Sequence, residues 1–152
     1  MTVAELAIRL EGMAAALSPL DFGPALAKAR GYIEKDTENA FRQSRAPDGN
    51  PWAALSPATL KRRRFPGKPI LLQTERLMNE ALDAIRRGQI TATALTIVVE
   101  QPAYGPAHQT GTANMPDRKF LGLTLGTKMQ IIQDAIDLVR DALLGRGYRQ
   151  VA

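Results

Sequence analysis

The sequence contains no cysteine, and this absence removes several kinds of site at once. Disulfide frameworks, thiolate metal sites and cysteine nucleophiles are all excluded. The composition is compatible with a reducing cytosol. Long apolar runs are missing too, since no stretch approaches the roughly 20 residues that cross a bilayer. The N-terminus carries Glu5 and Arg9 in an amphipathic pattern rather than a signal-peptide core, so we expect no membrane partner.

Recognisable enzyme motifs are also missing. The chain has no phosphate-binding glycine loop with its lysine, no nucleophile elbow, no metalloprotease helix and no dinucleotide fingerprint. His108 is the only histidine, and the nearest acidic residues, Glu100 and Asp117, lack the spacing of helical metal ligands. We therefore expect no enzyme, no catalytic residue, no metal and no cofactor. His108 is interpreted as a polar residue that fixes its loop by hydrogen bonds.

Positive charge is concentrated in one segment. Residues 42–68 contain seven Lys or Arg and one acidic residue, Asp48, so this segment has a charge of +6. The net charge of the chain is +5, so the remaining residues sum to −1. The adjacent cations repel one another and need solvent or an anionic partner. Two interpretations stay open, a solvated loop face and a surface that contacts DNA phosphates without reading bases. The residues concerned are Lys61, Arg62, Arg63, Arg64 and Lys68.

Apolar spacing predicts four long helices and one short one. The long helices should span about 3–17, 24–43, 74–88 and a last stretch from Thr124 or Thr127 to Gly145 or Gly147. Ser56 and Pro57 start the short helix, which should run to about Arg64. Thr74 is the expected cap of its helix, and Gly88 is placed for a left-handed helix end. Gly31 suggests a close helix contact or a kink.

The segment from Gln89 to Glu100 is rich in β-branched residues but alternates in two phases, so one straight strand cannot bury both sets. A bulge near Ala94 or a tight hairpin would reconcile them. With a length of 152 residues, the chain is expected to form one α+β domain, with a small antiparallel sheet packed with about four helices.

Two proline-rich segments, 45–69 and 101–119, are expected to form extended loops. A turn is predicted at Pro47-Asp48-Gly49, and Gly111 fits a turn that would strain other residues. Trp52 and Leu55 should return the first loop to the core. Trp52 could equally insert into a neighbouring subunit, since tryptophan is frequent at interface centres.

The order of motifs resembles the Mu-like phage virion morphogenesis and tail completion proteins. The resemblance covers about residues 40–145. The matching stretches are Phe41, Ala46-Pro47-Asp48-Gly49, Trp52-Ala53-Ala54-Leu55-Ser56, Thr59-Leu60-Lys61, Ile70-Leu71, Thr74 to Leu77, Tyr104-Gly105-Pro106-Ala107-His108-Gln109-Thr110-Gly111 and Pro116-Asp117-Arg118-Lys119-Phe120-Leu121-Gly122-Leu123.

This resemblance implies a structural virion component that acts late in assembly, completing the tail or joining tail to head, without catalysis. Expected partners are further copies in a ring, taken as hexameric, and neck, tail-tube or connector proteins, with assembly in the host cytoplasm. The basic segment would then line a channel for packaged DNA. The rival hypothesis is a sequence-independent nucleic-acid-binding module. The expected interface or loop anchors are Trp52, Leu55, Tyr104, His108, Gln109, Gly111, Arg118 and Phe120.

Overall fold

A computed structural model describes residues 20–99 and 102–144. Its elements, in chain order, are α1 (Gly23–Gln43), α2 (Pro57–Arg62), α3 (Arg76–Arg86), β1 (Gln89–Ile90), β2 (Leu95–Thr96), α4 (Gly105–Thr110) and α5 (Leu125–Leu143). The predicted α+β class is confirmed, with two antiparallel strands and five helices in the described part of the chain. The predicted helix over 3–17 lies outside the described residues, as do Gly145 and Gly147.

Helix α1 begins and ends where its sequence allows. Pro24 stands in the first turn, where a missing amide hydrogen has no helical partner to lose. The helix ends at Ser44, whose left-handed backbone (φ 51°) lets its N–H reach the carbonyls of Ala40 and Phe41. At Gly31 an added Cβ would meet no atom of residues 20–99 and 102–144 within 4 Å, so no helix in this part of the chain makes the close contact considered for Gly31.

Helix α3 supplies the most buried surface of the fold. Its inner face carries the five residues that spacing predicted, together with Ala84: Leu77, Met78, Ala81, Leu82, Ala84 and Ile85. The capping roles predicted at its two ends are wrong, although its bounds lie within two residues of the prediction. Glu75 occupies the N-cap position in a left-handed conformation without a side-chain cap, so Thr74 does not cap the helix. Gly88 is not left-handed; it is needed because a Cβ there would meet the Ile85 carbonyl oxygen at 2.9 Å.

The strand-forming segment is a tight hairpin, one of the two predicted alternatives. Gln89 pairs with Thr96 and Ile90 with Leu95. The Thr91 N–H donates to the Ala94 carbonyl at 2.8 Å and closes the turn. The turn reverses the chain between the two alternating phases, so Ile90 and Leu95 are both half-buried while Ala92 and Ala94 are exposed. The hairpin sits at the start of α1, since the Phe22 N–H donates to the Ala92 carbonyl at 2.8 Å.

Helix α5 packs against α1 from the other side. Thr124 caps it, accepting a hydrogen bond from the Thr127 N–H at 3.1 Å, which settles the start between the two predicted threonines. The Thr124 N–H donates to Asp36 Oδ2 at 2.9 Å, and the Tyr32 hydroxyl donates to Asp134 Oδ2 at 3.0 Å. Leu138 is the only buried residue of this helix. Within the described residues, no helix is both long enough and apolar enough to cross a membrane.

Candidate interaction surfaces

Trp52 anchors the start of the first proline-rich segment in the chain's own core. It is 7% exposed, lies edge-on to Phe41 with ring centroids 5.7 Å apart, and donates from Nε1 to the Lys119 carbonyl at 2.9 Å. Phe120, 2% exposed, also packs against Phe41, with ring centroids 5.2 Å apart and the ring planes tilted by 37°. The indole N–H thus finds the partner that a buried tryptophan requires. This placement is the one expected of a loop anchor, and the insertion of Trp52 into a neighbouring subunit stays a prediction.

The turn before Trp52 has the predicted form. Gly49 adopts a positive φ of 90°, its N–H donates to the Ala46 carbonyl at 2.9 Å, and Asp48 Oδ1 accepts from the Asn50 N–H at 3.0 Å. That hydrogen bond is the main reason why the pKa of Asp48 lies below its ordinary value. The turn brings the chain straight back from α1 to Trp52.

Arg118 joins the two proline-rich segments. Its side chain, 5% exposed, donates from Nε and Nη2 to the Ala53 carbonyl at 3.2 and 3.1 Å, and from Nη2 to the Ala54 carbonyl at 3.3 Å. Burial lowers the pKa of this guanidinium. Burying a cation costs free energy, and the hydrogen bonds to these two carbonyls offset part of that cost. Arg118 therefore acts as a clamp on the chain just after Trp52, beside half-buried Leu55.

Gln109 fixes the second segment. It lies on α4, a short helix inside a stretch that was expected to be irregular throughout. Its Oε1 accepts from the N–H groups of Phe120 and Leu121 at 3.0 and 3.1 Å, and its Nε2 donates to the Leu121 carbonyl at 2.8 Å. The side chain of Gln109 therefore makes hydrogen bonds to the backbone of Phe120 and Leu121 as a neighbouring strand would. These bonds fix the backbone where Phe120 packs into the core.

His108 does not fix its loop through its side chain, contrary to the prediction. Its Nδ1 is buried without a hydrogen-bond partner among the described residues. Burial, and to a lesser extent the charge of Arg118, lower the pKa of His108. Its backbone contributes instead, since its carbonyl accepts from the Arg118 N–H at 2.6 Å. Tyr104, 45% exposed, lies edge-on to the imidazole at 5.9 Å.

Gly111 ends α4 in the special conformation that was predicted. Its φ is 74° and its ψ 174°, a region open almost only to glycine. A Cβ would also lie 3.0 Å from the Asp117 nitrogen and 3.2 Å from the Met115 carbonyl oxygen. The turn lets the chain pass back over α4, so that Arg118 and Gln109 meet their partners.

Between these anchors, residues 56–69 form a projection that we call the basic arm. None of its residues is buried, and its helix α2 contributes nothing to the core. Ser56 caps α2 by accepting from the Thr59 N–H at 3.2 Å, and the helix stops at Arg62, two residues before the predicted end. Two large apolar side chains are exposed on the arm, Leu60 at 47% and Phe65 at 42%.

The five predicted DNA-contacting cations divide into two groups. Arg63 donates to the carbonyls of Lys68 and Pro69 at 2.7 and 2.8 Å, which closes the arm on itself, and Lys68 pairs with Glu75 at 3.0 Å. Lys61, Arg62 and Arg64 are exposed and form no salt bridge within the parts of the chain that the structure covers. These three cations are therefore the exposed ones that make no ion pair among the described residues.

A second surface lies along α5, where one face carries large apolar side chains exposed by 41–73%: Leu125, Met129, Ile132, Ile136 and Leu143. A shallow groove of about 630 Å³ lies along the C-terminal part of this face, where Ile132, Ile136 and Leu143 line it. No group of three or more acidic or histidine side chains in residues 20–99 and 102–144 is arranged to hold a metal ion. The features that stand out are thus surfaces for contact: a charged arm, an apolar helix face, and a clamp that fixes their mounting.

Such a small α+β domain, with much of its apolar and basic surface turned outward, has the features of an assembly component. A sequence model of the phage virion morphogenesis family matches residues 4–140. The chain belongs to this family, as the motif order from Trp52 to Phe120 indicated. No curated protein and no solved structure shows significant similarity to the chain.

Proposed function

We propose that this protein is a structural, non-enzymatic virion component that completes the phage tail or joins it to the head, as a subunit of a ring. Membership of the virion morphogenesis family supports a role in phage assembly. The position in the neck or at the tail terminus, the ring with six copies, and the neighbours among neck, tail-tube and connector proteins are the finer parts of the proposal.

The basic arm is the observation that carries the proposal. Its residues are exposed, yet its two ends are held in place by Trp52 and Arg118 on one side and by buried Leu72 on the other. A segment that a fold fixes so firmly at its base, and that buries nothing itself, is suited to reach another molecule. Surface loops mounted on a rigid scaffold are a usual place for binding residues.

The chemistry of the arm fits a wall beside passing DNA. Lys61, Arg62 and Arg64 are exposed and form no salt bridge among the described residues, and phosphate contacts by such cations carry no base specificity. The Arg64 guanidinium lies 5.5 Å from the centroid of the Phe65 ring. In a six-membered ring the three cations would repeat six times around the lumen. Leu60 and Phe65, exposed on the same arm, would contact the neighbouring subunit.

The test replaces Lys61, Arg62 and Arg64 together with glutamine in the phage that encodes the protein. We expect particles that assemble but lose infectivity by at least about tenfold, because DNA passage or retention fails without the lumenal charge. The matched control replaces Lys35, Arg87 and Lys128, which are equally exposed and lie outside the arm. Normal assembly and normal DNA ejection by the arm variant would reject the lumenal role.

The number of copies of the protein per particle tests the proposed ring separately from the proposed DNA contacts of the basic arm. Quantitative mass spectrometry of purified particles should find the protein in a small fixed number, a multiple of six for the proposed ring. Its absence from every particle and every assembly intermediate would reject the structural role itself.

The rival, a free-standing nucleic-acid-binding module, is favoured by the same three free cations. It predicts that the isolated protein binds DNA at physiological ionic strength and that its affinity falls as salt rises. Three phosphate contacts per chain give a shallow salt dependence and weak binding to a single subunit. Tight binding by the monomer, together with absence from virions, would favour the rival.

A further inference from the structure

Arg63 differs from the rest of the basic arm in where its side chain lies. It is half-buried, whereas every other residue of 56–69 is exposed. Its guanidinium donates from Nη1 to the Lys68 carbonyl at 2.7 Å and from Nη2 to the Pro69 carbonyl at 2.8 Å. One planar group therefore joins the two ends of the stretch 63–69 by two short hydrogen bonds.

We propose that Arg63 is a positioning residue: it holds the arm in one shape before DNA arrives and does not itself contact a phosphate. The cations that it positions are Lys61, Arg62 and Arg64. The inference rests on the proposed contact between the arm and DNA. It adds that the affinity of this contact depends on a residue whose charged group is turned toward the arm's own backbone.

Hydrogen bonds of the backbone alone hold the arm weakly. The Arg63 N–H donates to the Leu60 carbonyl at 3.3 Å, where α2 ends, and the Lys68 N–H donates to the Phe65 carbonyl at 3.3 Å. Both distances are longer than the usual range of such bonds. A hydrogen bond from a charged donor is roughly twice as strong as one between neutral groups. The side chain of Arg63 is therefore the stronger restraint on this stretch, which buries no side chain in the core.

The arrangement around Phe65 depends on this restraint. The Arg64 guanidinium lies 5.5 Å from the centroid of the Phe65 ring, and Lys68 Nζ lies 5.8 Å from the same centroid. Cations at such distances from a ring are attracted by it. Lys68 is in turn paired with Glu75, next to the start of α3, at 3.0 Å. Because Arg63 joins the backbone on both sides of Phe65, it also fixes the ring that Arg64 lies beside.

A residue that positions the arm and a residue that contacts DNA differ in a measurable way. Each phosphate that a protein neutralises releases counterions, so the slope of log affinity against log salt counts the contacts. Ordering a flexible segment during binding lowers the affinity, but it does not change that count. Loss of the Arg63 side chain should therefore lower the affinity and leave the slope unchanged, whereas loss of Arg62 should lower both.

The variant Arg63→Lys separates shape from charge. Lysine keeps the positive charge, but it has one nitrogen where arginine has a planar group with several donors in fixed positions. It therefore cannot reproduce both bonds, to Lys68 and to Pro69, in their present geometry. Arg62→Lys is the matched control, because it makes the same chemical change at the exposed neighbouring residue.

The first measurement is the binding of full-length variants to a fluorescently labelled DNA duplex, followed by anisotropy at several low salt concentrations. Arg63→Lys should weaken binding by about fivefold at each salt concentration, the cost of ordering about one residue, and should leave the slope unchanged. Arg62→Lys should bind as the unmodified protein does. Arg62→Gln should lower the slope by about 0.9, the value for one phosphate.

Two results would overturn the proposal. Equal binding by Arg63→Lys and Arg62→Lys would show that only the charge matters at residue 63. A slope lowered as much by Arg63→Gln as by Arg62→Gln would show that Arg63 is itself a phosphate contact. Failure of the proposed contact with DNA gives a different result: the protein with Lys61, Arg62 and Arg64 replaced by glutamine would bind DNA as the unmodified protein does, and the inference would fall with it.

Limited digestion with trypsin gives a readout that needs no DNA. A protease cuts a folded chain where the backbone opens locally, and Arg63→Lys keeps every trypsin site of the arm. Cleavage after Arg64 should be at least about fivefold faster in Arg63→Lys than in Arg62→Lys, while urea unfolding followed by Trp52 fluorescence stays unchanged. Equal cleavage rates would overturn the proposal, because the arm would then hold its shape without the guanidinium.

Discussion

Gln109→Ala should lower the free energy of unfolding by about 2–3 kcal/mol, which is large for a residue that is only half-buried. The amide of Gln109 makes three hydrogen bonds to the backbone of Phe120 and Leu121, between 2.8 and 3.1 Å. Each such bond contributes about 0.5–1.5 kcal/mol net, and a partner left without one costs somewhat more. We expect a loss below the upper limit of the summed hydrogen-bond contributions, because Gln109 is half-buried and water can replace part of these bonds.

Urea unfolding followed by the fluorescence of Trp52, the only tryptophan, measures this loss. The reporter is well placed because its ring is buried and its N–H bonds to Lys119, next to Phe120. Gln133→Ala is the matched control; Gln133 makes one exposed bond to Asp137 on its own helix, so we expect a loss of about 0.2–0.5 kcal/mol. Equal losses in the two variants would refute the idea that Gln109 holds the second segment in place.

Two further predictions concern the same segment. In the folded protein the pKa of His108 lies below its ordinary value of 6.5, so the unfolded chain takes up a proton that the folded chain refuses, and stability should fall as pH drops below about 6.5. His108→Asn should make that fall smaller between about pH 7.5 and about pH 5.5, and an unchanged fall would contradict the burial argument. Gly111→Ala should cost about 1–3 kcal/mol because its φ is 74°. Gly31→Ala, in open space on α1, should instead stabilise by about 0.5–1 kcal/mol, and thermal melts that order the two variants otherwise would argue against the strain assigned to Gly111.

The elements that sequence reasoning located correctly are those whose signal is local. Periodic apolar residues gave α1 and α3 to within about two residues, which is the usual uncertainty of helix ends. The two phases of alternation in Gln89 to Glu100 required a reversal, and the hairpin turn at 91–94 supplies it. The turns at Gly49 and Gly111 were predicted correctly because glycine adopts a positive φ more readily than other residues.

The errors lie where distant contacts override local preference. Thr74 has the right side chain for a cap, but the chain enters α3 through a left-handed Glu75 because half-buried Leu71, at φ 63°, and buried Leu72 fix its approach. Gly88 serves a close approach by Ile97, across the hairpin, and not a helix end. The apolar stripe of α5 was visible in the sequence, but periodicity does not say what a stripe packs against.

The candidate site was found in outline only. Arg118 and Gln109 were named as anchors from their motif, but their roles depend on Ala53 and Leu121, which are 65 and 12 residues away along the chain. The run of cations was obvious from composition, whereas the division that leaves Arg63 holding the arm closed could be seen only in three dimensions. His108 shows the opposite case, a conspicuous side chain whose backbone carries the contact.

The absence of buried residues in the basic arm has a consequence for which substitutions the arm can accept. Residues 56–69 add nothing to the hydrophobic core. A substitution at Lys61 or Phe65 should therefore change the contacts of the arm and not the folding of the protein. The stability of the fold and the contacts of the arm therefore depend on different residues. Substitutions within residues 56–69 are therefore expected to leave the hydrophobic core unchanged, while Trp52, Arg118 and Gln109 keep the ends of this stretch in place.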